Sequence, residues 1–183
     1  MTDIQEKDDI FNELVKQYGP KILALAYKLA GNYADSEDIA QDVLVKAYTK
    51  FGQFKPGTNL QAWLYKITVN VYRDYARYRK RRKAGAHVGI EEVDTHENVC
   101  SPQTGTLLNT EKVAEQNEQN GIVLQMMDKL GTEHKVVVVL RVMEHRPYEE
   151  IAKILGCPIG TVKSRMFYAC ETLREMLKKS GNL

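Results

Sequence analysis

Apolar residues in this chain recur at steps of three and four rather than in the alternation of a strand, so the pattern predicts helices throughout. Gly19-Pro20 is expected to break a first helix from a second, and Gly31-Asn32 to end the second. Asp35 then opens a third, with Asp38 at the capping-box position. Thr58-Asn59-Leu60-Gln61 reads as a fuller capping box, a threonine accepting from the amide three residues on and a glutamine reaching back. The fourth helix runs from there to about Arg82. Its apolar stripe is Leu60, Leu64, Ile67, Val71, Tyr75 and Tyr78, with Trp63 at the edge and mostly in the core. Further helices are expected near residues 111–130, from Thr132, over Tyr148–Leu155 and over Ile159–Lys179. The β-prone run at 136–139 sits inside helical periodicity. Only residues 84–110 lack such a period; they hold Gly85, Gly89, Ser101-Pro102 and Gly105. The expected fold is all-α, with two small helical domains at 1–83 and 111–183 and a flexible linker at 84–110 between them.

The clearest local motif lies near the end. A two-turn amphipathic helix reaches Leu155, Gly156 follows where a left-handed residue ends a helix cheaply, and Pro158 fixes the entry to the next helix. Helix, short glycine turn and longer helix make a helix-turn-helix. In the last helix Val162, Met166, Ala169, Leu173, Met176 and Leu177 share one side, while Thr161, Ser164, Arg165 and Tyr168 lie largely opposite, flanked by Lys163 and Phe167. Hydroxyls and cations for phosphates and guanine edges, with an aromatic for thymine methyls, suit a DNA major groove. The alternative is a capped surface helix whose Phe167 packs on a neighbouring element.

The fourth helix carries a second row. Lys66, Asn70, Arg73, Arg77 and Lys80 fall on one line opposite its apolar stripe, and the helix runs on into Arg79-Lys80-Arg81-Arg82-Lys83. Cations along such a line can track phosphates, while Asn70 can exchange two hydrogen bonds with a base edge; a merely solvated face is the plainer reading. Immediately before it, Phe51-Gly52-Gln53-Phe54-Lys55-Pro56-Gly57-Thr58-Asn59 offers aromatics, a flexible glycine and free amides at a helix start. These are the materials for holding an unstacked base and its phosphate. An ordinary turn with Phe51 and Phe54 in the core would use the same residues. Asp35, Asp38, Gln41 and Asp42 form an acidic stretch on the third helix. Part of it favours the helix dipole, but Asp38, Gln41 and Asp42 make a polar patch that suits a protein partner with basic side chains.

Charge sharpens this picture. The net formal charge of +2 divides into −3 over residues 1–54, +8 over 55–83, −6 over 84–120 and +3 over 121–183. Segregation on this scale points to a polyanion for the basic segments and protein for the acidic ones. No apolar run reaches eighteen residues and the acidic N-terminus does not read as a signal peptide, so a cytoplasmic protein is expected. Cys100, Cys157 and Cys170 form no C-x-x-C pair, and His96 with Cys100 is too few ligands, so neither metal nor cofactor is expected. Paired acids in an apolar cleft and a phosphate-cradling glycine loop are also missing, which argues against an enzyme acting on nucleic acid. A transcriptional regulator using the helix-turn-helix alone would leave the row on the fourth helix and the acidic patch unexplained.

Three segments in order, DSEDIAQDVLVKAY, NLQAWLYKITVNVYRDYARYRKRR and YEEIAKILGCPIGTVKSRMFYACETLREML, resemble the two-domain extracytoplasmic-function sigma factors of bacterial RNA polymerase. The resemblance covers about residues 8–83 and 112–179. It implies a sigma-2 domain whose helix at 35–42 docks on the clamp coiled coil of the β′ subunit. The loop at 54–59 and the helix bearing Asn70 and Arg73 would recognise and help open the minus-ten element, a non-template base being flipped into the loop. It implies a sigma-4 domain that reads the minus-thirty-five element through Lys163, Ser164, Arg165 and Phe167 and touches the β flap. An anti-sigma protein is an implied partner. Tyr168 and Cys170 stand where members of that family often carry arginine, and Pro147 stands where a serine-like cap is usual.

Overall fold

The computed structural model describes residues 3–54, 57–85 and 125–179. Lys55, most of the expected linker, and His96 and Cys100 lie outside the described residues. Helices α1 (Asp3–Ala30), α2 (Tyr33–Lys50) and α3 (Leu60–Gly85) form a first helical unit, with a single 3-10 turn at Phe51–Gln53. Helices α4 (Thr132–Val138), α5 (Tyr148–Leu155) and α6 (Ile159–Lys179) form a second. No strand occurs among the described residues.

α1 runs unbroken through Gly19-Pro20, contrary to the break expected there. Proline forfeits one helical hydrogen bond and crowds the preceding turn, a cost of about 3 kcal/mol in a helix interior. Here Pro20 faces solvent, so water can reach the carbonyl it leaves unpaired. On either side of it Phe11, Leu14, Ile22, Leu25 and Leu29 are buried in one line. Each such side chain contributes roughly 1.5–3 kcal/mol, so tertiary packing outweighs the local penalty.

The caps also fall differently from expectation. α1 ends at Gly31, whose φ of +86° is left-handed and whose N–H donates to the Tyr27 carbonyl at 2.8 Å. Asn32 then caps α2: its Oδ1 accepts from the Asp35 amide at 2.9 Å, and its Nδ2 donates to the Asp35 carboxylate. Asp35 is therefore the reciprocal partner of the cap rather than the opener. α3 is capped by Asn59, whose Oδ1 accepts from the Ala62 amide at 3.1 Å, one residue after the expected Thr58. Gln61 does not reach back in a box; its Nε2 donates to the Tyr65 hydroxyl.

In α3 Leu64, Ile67 and Val71 are buried as expected, but Tyr65, Thr68, Val69 and Tyr72 are buried too. The second unit covers that other side: the Tyr65 hydroxyl donates to Glu144 at 2.6 Å, and Arg73 reaches Glu133. Tyr78, expected in the apolar stripe, is 53% exposed, with the Arg82 guanidinium 5.9 Å from its ring centre. Trp63 is half-buried against the core, and Tyr75 likewise.

In the second unit the valines at 136–139 are helical and buried. The helix then widens by one residue over Val139–Met143, the Glu144 amide donating to the Val139 carbonyl five residues back. α5 occupies the expected span and buries Ile151, Ile154 and Leu155. Gly156 closes it at φ +65°, ψ +38°, and Pro158 receives the first bonds of α6 from Thr161 and Val162. Val162 and Ala169 seat α6 in the core. One hydrophobic cluster joins Leu25, Val43 and Leu64 of the first unit to Met127, Val136 and Ile151 of the second.

Gly31 tests this packing. A Cβ built there would meet the Asp128 carboxylate at 3.3 Å, besides needing the left-handed backbone. Gly31→Ala is expected to cost about 1–3 kcal/mol, read as a lower urea midpoint at unchanged m-value.

Candidate nucleic-acid interface

α3 brings most of the expected basic row to the surface. Lys66, Asn70, Arg77 and Lys80 are exposed. Arg77 leans on Asp74 at 2.7 Å, an exposed pair one turn apart. Arg73 departs from its neighbours. It is half-buried, and its Nε and Nη2 both donate to the Glu133 carboxylate at 2.7 Å.

The loop before α3 combines the two readings left open by the sequence. Phe51 and Phe54 stack with ring centres 6.5 Å apart; Phe54 continues to Trp63 at 5.4 Å, and Phe51 back to Phe11 at 5.9 Å. The aromatics are thus half-buried in a ladder of rings, anchored to the core while keeping an edge toward solvent. Gly57, Thr58 and Asn59 are exposed, and Gly57 has a left-handed φ of +85° with open space about it.

On α2 Asp38, Gln41 and Asp42 are exposed together. Asp35 is not with them: it turns back to the Asn32 cap and lies 3.6 Å from Arg79. Val45, one turn beyond Asp42, is 63% exposed and adds an apolar centre to the patch. An apolar residue off the buried row of Ile39, Val43 and Ala47 was the available signal for it, and the reading of the sequence passed it over.

On α6 Lys163, Ser164, Phe167 and Tyr168 are exposed, and Thr161 is half-buried. Phe167 and Tyr168 are 62% and 59% exposed, their rings edge to face at 5.6 Å, so Phe167 does not pack on a neighbouring element. Arg165 is half-buried, its Nη1 2.6 Å from Glu133 Oε2, an ion pair without hydrogen-bond alignment.

Two carboxylates that the sequence did not single out join the units. Glu133, in the first turn of α4, holds Arg73 of α3 and Arg165 of α6. Glu144 accepts from Lys28 of α1 at 2.7 Å and from Tyr65 of α3. Burial alone would raise the Glu133 carboxyl; the Arg73 hydrogen bonds and charge, helped by Arg165 and His134, outweigh it and hold the pKa below the ordinary 4.5. Burial, then the bond to Glu144, pushes the Tyr65 phenol up. Lys135 is almost wholly buried beside Asp128; burial lowers its pKa, and the carboxylate only partly opposes this. No group of three or more His, Cys, Asp or Glu among the described residues could hold a metal ion. No helix among them is long and apolar enough to cross a membrane.

Comparison with known proteins follows the same division. The family described as Sigma-70 region 2 matches residues 14–82, and that described as Sigma-70, region 4 matches residues 120–173. The RNA polymerase sigma-H factor of Pseudomonas aeruginosa is 30% identical over 92% of this chain and 86% of its own length. The ECF RNA polymerase sigma-E factor of Escherichia coli K12 is 31% identical over 89% and 84%. Among solved structures, the sigma factor RpoE in complex with the anti-sigma factor NepR from Bartonella quintana is 31% identical. It covers 92% of this chain and 96% of that one, with a TM-score of 0.67. CnrH in complex with the cytosolic domain of CnrY, 23% identical with a TM-score of 0.63 over 94% and 90%, shares the fold.

The Glu133 pair has a definite pH signature. A carboxylate with a depressed pKa stabilises the packed state above its ordinary pKa and loses that contribution as pH falls through the depressed value. In a carbon-13 titration Glu133 is expected to have its midpoint below 4.5, and Arg73→Ala is expected to move it upward. A midpoint indifferent to Arg73 would separate the two groups.

Proposed function

This chain belongs to the extracytoplasmic-function sigma factors, which direct RNA polymerase to promoters, and on that premise we propose which of its surfaces perform each step. The first unit, residues 1–83, is the sigma-2 domain and residues 111–183 are the sigma-4 domain, with 84–110 as the linker. Asp38, Gln41 and Asp42 dock on the β′ clamp, with Val45 at the centre of the contact. Asp35 supports them by bracing the Asn32 cap of the helix from which they project. The row Lys66, Asn70, Arg73, Arg77 and Lys80 tracks the minus-ten element, and the loop of Phe54, Gly57, Thr58 and Asn59 receives an unstacked base. Lys55 belongs to the same loop by sequence. α6 reads the minus-thirty-five duplex through Thr161, Lys163, Ser164, Arg165, Phe167 and Tyr168, while its unit rests on the β flap.

One observation carries this reading: two aromatic side chains stand side by side in water on the helix after the glycine turn. Exposure of two large rings costs hydrophobic stabilisation that an unliganded surface would not be built to lose. A major groove offers thymine methyls and phosphates to this set of side chains. Neither half needs tight DNA affinity alone, because mounting both on one polymerase raises their effective concentration. A linker of this length has a root-mean-square span of about 28 Å and a stretched limit near 90 Å. Elements one to two helical turns apart, roughly 35–70 Å, are therefore within reach.

The division of labour makes this chain an address and a melting device; the polymerase performs the chemistry, and no cofactor is needed. The place of action is the cytoplasm. The Bartonella relative is bound to an anti-sigma factor, and by extension an anti-sigma protein holds this chain inactive.

Asn70→Ala is expected to reduce promoter opening, read by permanganate reactivity, at least tenfold, while core-polymerase affinity stays within twofold; equal loss of both would sink the assignment of Asn70 to a base. Arg77→Ala is expected to weaken DNA binding across all sequences and to lower the slope of log affinity against log salt by about one unit. An unaltered slope would mean that the row is only solvated.

A further inference from the structure

Residues 55–83 carry nine Lys or Arg and a single acid, Asp74. It stands on α3 one turn beyond Asn70 and one turn short of Arg77, rotated about 40° from the first and about 60° from the second. Its side chain is 57% exposed. Arg77 Nη2 donates to Oδ1 at 2.7 Å, and Lys46 Nζ of α2 lies 3.7 Å from Oδ2. No hydrogen bond reaches Oδ2 among the described residues. Exposed ion pairs of this kind add little to stability, and a negative charge beside a phosphate track works against the cations around it. An acid at that place calls for a chemical reason that the basic row does not supply.

We propose that Asp74 is a specificity-determining residue: it accepts a hydrogen bond from the exocyclic amine of an adenine or cytosine and turns away guanine and thymine. The inference rests on the reading of α3 as the helix that meets the minus-ten element. An ionised carboxylate accepts hydrogen bonds and donates none. Adenine and cytosine carry an amine at the ring position where guanine and thymine carry a carbonyl oxygen. The same side chain therefore gains a bond from the first two bases and faces a second acceptor on the others. Asn70 sharpens the choice. Its Oδ1 accepts from Arg73 Nη1 at 3.4 Å, which leaves its amide N–H groups to donate. A donor beside an acceptor matches a ring nitrogen beside an amine. Adenine offers that pattern in a major groove, and adenine and cytosine both offer it on their pairing edges once unstacked. Arg77 and Lys46 offset the charge of the carboxylate while Oδ2 stays open to a base.

The test uses holoenzyme assembled from the full chain and core polymerase. It transcribes a pool of templates randomised across the minus-ten region, and the productive templates are read by sequencing. Wild type is expected to favour an amino base at one position by roughly tenfold over guanine or thymine, the scale of one well-made base contact. The same pool reports whether adenine or cytosine is taken. Asp74→Asn keeps the shape but can donate, and it is expected to shrink that preference to within twofold while preferences elsewhere stay as they were. Lys46→Met breaks the pair between α2 and α3 but keeps the carboxylate, and it is expected to retain the preference. No amino-base position in wild type, or an equal loss on every template in Asp74→Asn, would overturn the proposal. So would a Lys46→Met profile that matches Asp74→Asn, since Asp74 would then be only a strut between the helices. Asn70→Ala in the same pool separates this inference from the reading beneath it. A profile that Asn70→Ala alters and Asp74→Asn does not sinks the role of Asp74 alone; a profile that neither alters sinks the placement of α3 on the minus-ten element, and this inference with it.

Discussion

The structure depends on α3 being packed from two sides while leaving a third open. At 100° per residue its Leu64, Ile67 and Val71 form one row, Tyr65, Val69 and Tyr72 a second, and Lys66, Asn70, Arg73, Arg77 and Lys80 a third. The first two rows are buried, so the helix is held too firmly to roll, and the third row has its direction fixed. A helix buried on one side only could turn its polar face by tens of degrees at little cost. Rigid presentation is what a row of cations needs if it is to follow a phosphate backbone. Arg73 lies about 20° from the middle of its row toward the Tyr65–Tyr72 side, which is why it reaches Glu133 while Asn70 and Arg77 stay in solvent.

The second unit solves a different problem with less material. α5 has only eight residues, and Pro147 at its start supplies no side-chain cap. Its stability comes from Ile151, Ile154 and Leu155, all buried, and from Glu149 and Glu150 placed where the helix dipole favours acids. The left-handed Gly156 then turns the chain within three residues, so that α6 leaves with Val162 and Ala169 inward. Once those two positions are fixed, the helical period puts Lys163, Ser164, Phe167 and Tyr168 in water. The exposure of the aromatics is a consequence of how the turn seats the helix.

Much of this was legible in local pattern. The bounds of α5 and α6, the glycine turn and the outward side of α6 all follow from periodicity and from residues within a few positions of each other. Pro20 misled because a proline's cost is local while its compensation, the line from Phe11 to Leu29, is tertiary. The caps were misplaced because asparagine, serine, threonine and aspartate compete for the same role within a few residues. Only geometry shows that Asn32 and Asn59 take it. Tyr78 continued an apolar period past the point where other helices cover it. Least legible were Glu133 and Glu144, whose partners lie 32 to 116 residues away and leave no periodic trace. The acids of the second unit were counted only toward its net charge, and nothing in their spacing set these two apart.

The chemistry of the boundary between the units then has a physical logic. An apolar contact of the kind that fills each unit gains free energy simply by excluding water, and nothing in the surroundings can substitute for its partner. An ionic contact is weaker in net terms, typically 0–1 kcal/mol where exposed, and it can be exchanged for another charge of the same sign. Alongside the hydrophobic cluster that joins the units, the boundary carries ties of this second kind: Lys28 and Tyr65 to Glu144, and Arg73 and Arg165 to Glu133. A chain that must work with its halves apart requires a boundary whose ties can be replaced one for one. Phosphates of DNA and acidic or basic surfaces of a larger assembly offer such replacements; a wholly apolar boundary would have none to accept.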